Sequence, residues 1–286
     1  MDENKNNNTA KKESHAFAEM YGRYLDVSGV DHKILDISYG DNERNCLDLY
    51  YPNEDKDRYP LIIFFHGGAF IKGDKRRYQL KPALTGINRG YAVASINYRL
   101  VQQAAYPAFK EDAIRAVRYL KAHATELQLD VDHICIWGES AGAYLAMVTA
   151  FVEEAQVLID WYGYAAFDQV AFANQEANEF TQIVNTATTL NEATFRCKGD
   201  ELKAVMREAV ATNYLKEKIP ATFIEHGTAD QLVPIQQSKD LYELLTGKIG
   251  VERCQLRLVE GGTHGVEGYS DEENLNLIYR FIDQWI

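Results

Sequence analysis

The 286-residue sequence predicts an α/β fold, a mostly parallel β-sheet with helices on both faces and a cap insertion. Three observations carry that prediction. Continuous apolar runs such as Leu61-Ile62-Ile63-Phe64-Phe65 read as strands buried on both faces. Segments with apolar residues at helical spacing alternate with those runs, which is the pattern of parallel strands joined by helical crossovers. From about Ala165 to Lys218 the alternation lapses, and a long excursion between sheet strands is commonly a lid or binding element.

Residues 1 to about 14 are polar and rich in Asn and Lys, so they are expected to stay disordered, leaving 15–286 as one domain. His15 to Leu25 has the pattern of a short helix. His32–Tyr39 and Asn45–Tyr51 flank the turn residues Gly40-Asp41-Asn42 and read as an antiparallel hairpin at one sheet edge. Tyr91–Ile96 is a second buried strand after Leu61–Phe65. Glu111–Leu127 places Ala113, Val117, Leu120 and Ala124 at helical spacing. His133–Trp137 is a third strand and runs through Gly138-Glu139-Ser140-Ala141-Gly142 into a helix from about Ala143 to Glu153. Val157–Tyr162, Thr222–His226 and Cys254–Val259 are further strands, with helices at about Ser238–Thr246 and Asn274–Trp285. The cap, about 165–218, is polar and helix-prone, with Phe167, Phe172, Phe180 and Phe195 spaced along it.

Composition bounds the function. At 46% hydrophobic and 25% charged the chain can bury a large core. The formal net charge of -12 argues against a nucleic-acid partner, which would want a basic face. No apolar run approaches a membrane span, and the first residues contain no apolar signal segment, so a cytoplasmic location is expected. Cys46, Cys135, Cys197 and Cys254 are scattered, without CxxC pairs or histidine clusters, so no metal site is expected. Cys46, Cys135 and Cys254 fall in strand-like runs and read as small packing residues.

The chemistry begins at Gly138-Glu139-Ser140-Ala141-Gly142, a G-x-S-x-G sequence set between a buried strand and an Ala-rich helix. Such a turn lifts the serine hydroxyl to its tip, at a helix N-terminus that favours developing negative charge. A serine nucleophile needs a base, and the base an orienting carboxylate. Of seven histidines, His264 lies in Gly261-Gly262-Thr263-His264-Gly265, after the last strand, where it can reach the sheet's carboxyl ends. His15, His32, His123 and His133 lie on the wrong elements, and His226, directly before Gly227, reads as structural. Asp230 follows the strand ending at His226 and stands between serine and histidine in chain order; Asp160 and Glu260 are the rivals. The turn His66-Gly67-Gly68-Ala69-Phe70 after the first parallel strand can aim the N–H groups of Gly68 and Ala69, with that of Ala141, at an oxyanion. His66 reads as a brace for that loop. Trp161 and Tyr162 end the strand beside the serine and are candidates to line the substrate pocket, or else plain core aromatics.

Together these segments resemble the α/β-hydrolase superfamily, in particular the esterases related to hormone-sensitive lipase and the bacterial feruloyl- and acetyl-esterase-like group. The resemblance covers roughly residues 33–286. It rests on Leu47-Asp48-Leu49-Tyr50-Tyr51-Pro52, His66-Gly67-Gly68-Ala69-Phe70, Asn97-Tyr98-Arg99-Leu100, the Ser140 motif, His226-Gly227-Thr228-Ala229-Asp230 and Thr263-His264-Gly265. It implies an eight-stranded sheet, a variable cap, no metal or cofactor, and a Ser-His-Asp esterase acting on small-molecule esters such as acetyl or feruloyl esters of carbohydrates. Ala69 departs from the usual third glycine. An arylformamidase-like amide hydrolase and a non-catalytic binding member of the fold are the alternatives, and a homodimer is left open.

Overall fold

The computed structural model describes residues 23–170, 189–266 and 268–286. The expected polar tail, most of the expected helix at His15–Leu25, and Phe172 and Phe180 of the cap lie outside these residues. Eight strands form one sheet: β1 Lys33–Ser38, β2 Cys46–Tyr50, β3 Tyr59–Phe65, β4 Ala92–Ile96, β5 Leu129–Glu139, β6 Val157–Trp161, β7 Ala221–Gly227 and β8 Cys254–Val259. Their order is β1-β2-β4-β3-β5-β6-β7-β8. The first two strands form the expected antiparallel hairpin, β2 pairs antiparallel with β4, and every other pairing is parallel.

The helices are α1 Lys81–Leu84, α2 Ala108–Ala122, α3 Ala141–Glu153, α4 Leu190–Phe195, α5 Gly199–Glu208, α6 Gln236–Ile249 and α7 Glu272–Trp285. Strand parity sorts the core into two layers. Leu61, Ile63, Phe65 and Ile136 point to the face covered by Val117 and Leu120 of α2 and Leu145 and Val148 of α3. Ile62, Phe64, Cys135 and Trp137 point to the other face, under Ile278, Tyr279 and Ile282 of α7. Helix α3 is apolar on all sides and buried from Ala141 to Phe151, as a helix with no solvent face must be. Helix α7 starts where the Asp271 side chain accepts the Asn274 N–H at 2.9 Å, a capping bond typically worth about 1 kcal/mol. Cys135 and Cys254 are buried packing residues, and all four thiols are free. No helix among the described residues is long and apolar enough to cross a membrane.

The parallel register decides where chemistry can occur. Phe65 pairs with Gly138, Glu139 with Trp161, Trp161 with Glu225, and Gly227 with Val259. The loops that leave these residues therefore emerge side by side at one rim, the place where open α/β sheets hold ligands. The cap leaves the same rim between β6 and β7. Its described parts are a short helical turn at Phe167–Gln169, α4, α5 and a turn at Ala211–Tyr214. Phe167 and Phe195 pack on each other and on Tyr106, so cap and body share one aromatic cluster.

Candidate active site

Ser140 occupies the turn between β5 and α3 with φ 52° and ψ −121°, a strained backbone for a residue with a Cβ. Strain of this kind is worth roughly 1–3 kcal/mol and persists only where the surroundings over-determine it. Here they do. The Ser140 N–H donates to the Trp161 carbonyl at 2.9 Å, tying the turn to the next strand. Gly138 and Gly142 let three backbones touch: a Cβ on Gly138 would come 2.2 Å from the Gly142 carbonyl oxygen. One on Gly142 would come 2.1 Å from that of Phe65. Helix α3 is thus seated directly on the end of β3, where the His66–Phe70 loop begins.

His264 and Asp230 arrive from neighbouring loops that are stitched together. Thr228 and Ala229 donate backbone N–H groups to Val259 and Gly262 at 3.0 and 2.9 Å, and the Gly261 N–H donates to the Thr228 hydroxyl at 2.8 Å. Gly227 permits the approach, because a Cβ there would sit 2.0 Å from the Gly262 carbonyl oxygen. The result brings three expected residues into line. His264 Nδ1 lies 2.7 Å from Asp230 Oδ2, and His264 Nε2 lies 2.8 Å from Ser140 Oγ. A carboxylate only accepts, so Nδ1 carries the proton and the Nε2 lone pair faces the serine O–H. Asp230 Oδ1 accepts the N–H groups of Leu232 and Val233 at 2.8 and 2.9 Å. Burial works to raise the Asp230 pKa, but the His264 charge and hydrogen bonds from His226 and His264 outweigh it and hold the carboxyl below its ordinary range. Asp160, the rival acid, lies instead within β6; burial pushes it up to about 6, against the pull of His226 and the Gly163 N–H.

The loop after β3 turns through three consecutive positive φ values: Gly68 at 120°, Ala69 at 54° and Phe70 at 61°. Gly68 has no room for a side chain, since a Cβ would meet the Lys72 carbonyl oxygen at 2.1 Å. Ala69 carries its Cβ in the left-handed region, where a methyl is tolerated at about 1–2 kcal/mol. Gly68 accepts the N–H groups of Ile71 and Lys72 at 3.0 and 3.1 Å. Among the described residues the loop's own hydrogen bonds do not use the N–H groups of Gly68 and Ala69. His66 braces the loop, as expected. It is buried, stacks on Tyr98, and its backbone carbonyl takes the Tyr98 O–H at 2.7 Å. Burial, with the nearby Arg44 charge, pushes its pKa down to about 3, so it stays neutral.

One residue that the motif reading did not single out, Glu139, completes the site, and it gives the expected pocket candidate Tyr162 a different role. Glu139, the unspecified position before the serine, is buried; its Oε1 accepts the Gly67 N–H at 3.2 Å and its Oε2 the Tyr162 O–H at 2.7 Å. Burial lifts its pKa to about 7, against the pull of those two donors. Tyr162 therefore braces the site. Its ring stands edge-on to His264 with centroids 4.8 Å apart. Trp161 corrects the expectation of a pocket-lining residue. It is 1% exposed and packs against Trp137 and Tyr269 in the α7-side layer, because parity along β6 sends it to that face with Val157 and Ile159. The cavity nearest the Ala69 turn is instead lined by Ala69, Phe70, Tyr164, Phe167, Leu190 and Thr194 among others. Its volume is about 10 Å³.

Comparison with known proteins agrees with this architecture. The model of the BD-FAE family matches residues 47–245, a span that contains Ser140 and Asp230 and stops before His264. A probable isoprenylcysteine alpha-carbonyl methylesterase of Arabidopsis thaliana is 29% identical over 249 residues, covering 80% of this chain and 50% of that one. An acetyl esterase of Salmonella typhi is 25% identical over 217 residues, covering 73% of this chain and 66% of that one. The chain spans about half the length of two of the curated relatives it matches. Among solved structures, a truncated carbohydrate esterase from gut microbiota shares the fold at a TM-score of 0.76 and 22% identity, covering 92% of this chain and 99% of that one. The sheet order, the serine at the β5–α3 turn and the family match over more than half of the sequence lead to one assignment: the chain has the α/β-hydrolase fold and belongs to the BD-FAE family.

Proposed function

We propose that the protein is a serine esterase that hydrolyses short-chain acyl esters, acetyl esters of carbohydrates among them, through an acyl-enzyme. The observation that carries this reading is the chain of two contacts, Asp230 Oδ2 to His264 Nδ1 at 2.7 Å and His264 Nε2 to Ser140 Oγ at 2.8 Å. In this reading Ser140 Oγ attacks the acyl carbon while its proton passes to His264 Nε2. Asp230 holds the ring and stabilises the imidazolium. The developing oxyanion takes hydrogen bonds from the N–H groups of Gly68, Ala69 and Ala141, with the N-terminus of α3 adding favourable field. His264 then gives its proton to the leaving alcohol. Water repeats the cycle, adding to the acyl carbon as His264 takes its proton, and Ser140 leaves with that proton as the acid is released.

The short acyl group is supported by the cavity beside Ala69. Its described walls include Phe70, Tyr164, Phe167 and Leu190, and at about 10 Å³ it holds roughly one water-sized sphere. The relatives named as an acetyl esterase and a carbohydrate esterase point the same way. Two measurements test the reading. A fluorophosphonate should label the wild-type protein and leave Ser140→Ala unlabelled; equal labelling of both would sink it. Across acetyl, butyryl, octanoyl and feruloyl esters of one alcohol, kcat/KM should be highest for acetyl, and a maximum at octanoyl would refute the short-chain assignment.

A further inference from the structure

The Asp230 carboxylate has a second imidazole. His226, next to last in β7, is fully buried, and its Nε2 lies 3.2 Å from Asp230 Oδ2, the oxygen that His264 Nδ1 also reaches at 2.7 Å. The same Nε2 lies 3.0 Å from the Val233 carbonyl oxygen. Carbonyl and carboxylate oxygens only accept, so Nε2 carries the proton and shares it between them. Nδ1 is then an acceptor and takes the hydroxyl of Ser238, buried in the first turn of α6, at 2.7 Å. The Ser238 O–H thus supports the tautomer that the two acceptors at Nε2 require. With both backbone donors on Oδ1 and both imidazole donors on Oδ2, the carboxylate cannot rotate without breaking bonds in a dry setting, where an unmade bond is costly.

We propose that His226 is a positioning residue: by clamping Asp230 it sets the ring of His264 toward Ser140, and Ser238 keeps the clamp in its donating form. The proposal rests on the roles given above to Ser140, His264 and Asp230. It gives a physical reason for a polar side chain at a fully buried strand end where an apolar one would pack as well. His226 touches neither the serine nor a substrate, so its effect passes through Asp230 and should appear in turnover rather than in binding.

Three variants test it. Glutamine places an amide N–H near the position of Nε2, whereas leucine fills similar space and donates nothing. His226→Gln should keep kcat on p-nitrophenyl acetate within about threefold of wild type. His226→Leu should lower kcat about 30-fold with KM little changed, because a small misalignment of the base acts on the transition state. Ser238→Ala should lower kcat about fivefold and shift the far-downfield proton resonance of the His264 Nδ1–H held by Asp230. A folded His226→Leu protein with wild-type kcat overturns the proposal. So does a His226→Gln protein as impaired as the leucine variant, since packing and not the hydrogen bond would then be at issue. If the leucine variant fails to fold, Ser238→Ala decides: an unchanged kcat and an unchanged resonance overturn the proposal. Failure of the underlying reading looks different. The wild-type protein would escape fluorophosphonate, while the resonance would still report whether His226 acts on the Asp230–His264 pair.

Discussion

Glu139 Oε1 accepts the Gly67 N–H at 3.2 Å, so the residue directly before the serine holds the loop that carries the Gly68 and Ala69 amides. Its pKa, raised by burial from 4.5 to about 7, makes this link pH-sensitive. The unfolded chain gives up the Glu139 proton near pH 4.5 and the native protein only near 7, so between these values the native state binds more protons. Stability should therefore fall as pH rises from 4.5 to 7 and level off above, by about 3 kcal/mol from this group. Denaturant titrations at pH 4.5 to 8 should show a shallower slope for Glu139→Gln than for wild type. Glu139→Ala, which loses both acceptor oxygens, should lower kcat about tenfold on acetyl esters.

Two of the buried carboxylates near the sheet rim, Asp230 and Asp160, should behave oppositely. Asp230→Asn changes the partner of His264 Nδ1 from acceptor to mixed donor and should reduce kcat about 10⁴-fold with little change in fold. Asp160→Asn should leave kcat within about threefold, because Asp160 serves the Gly163 N–H and not the imidazole. Asp160 is held up at about 6 by burial, so above that pH the native protein must carry an awkward charge. The asparagine variant should accordingly melt higher than wild type at pH 8. Steady-state kinetics and calorimetry at two pH values check both statements.

Gly142→Ala should be among the most damaging single-methyl changes in the molecule. The added Cβ would stand 2.1 Å from the Phe65 carbonyl oxygen, backbone against backbone, with no flexible side chain to give way. We expect a loss of about 3 kcal/mol and, in whatever folds, loss of turnover beyond that predicted from the folded fraction. Thermal unfolding combined with active-serine titration separates the two.

Ala69→Gly should go the other way. Ala69 is left-handed at φ 54°, and glycine removes that strain while raising the entropy of the unfolded chain, so net stability should change by less than about 1 kcal/mol. The lost methyl also lines the small cavity, so the ratio of butyryl to acetyl kcat/KM should rise.

Much of this was legible in the sequence because buried parallel strands and the turns that follow them leave strong local marks. Every expected strand is present, with bounds moved by a few residues, since apolar runs such as Leu61–Phe65 have one comfortable fate. Ser140, His264 and Asp230 were readable because each follows a strand end in a fixed chain order. Glu139 was not singled out, because an unspecified motif position signals nothing until its carboxylate is seen to bridge Gly67 and Tyr162. Trp161 was misplaced because position at a strand end was weighed without its parity, and parity sends it away from the rim. The helices α4 and α5 were not drawn as separate elements: α4 is only six residues long, and the apolar stripe of α5, Leu202, Val205 and Met206, is short and set among charged residues.

The glycine contact between α3 and the end of β3 bears on how such a protein changes over time. The serine turn and the loop after β3 are riveted to the same strand end, while the cap is inserted between β6 and β7, where its described residues Phe167 and Phe195 pack on Tyr106 of the body. Reactivity and selectivity are therefore written in separable stretches of sequence. Laboratory evolution toward bulkier esters should gather its gains between β6 and β7, and random libraries should find the Gly138–Gly142 segment nearly intolerant of change.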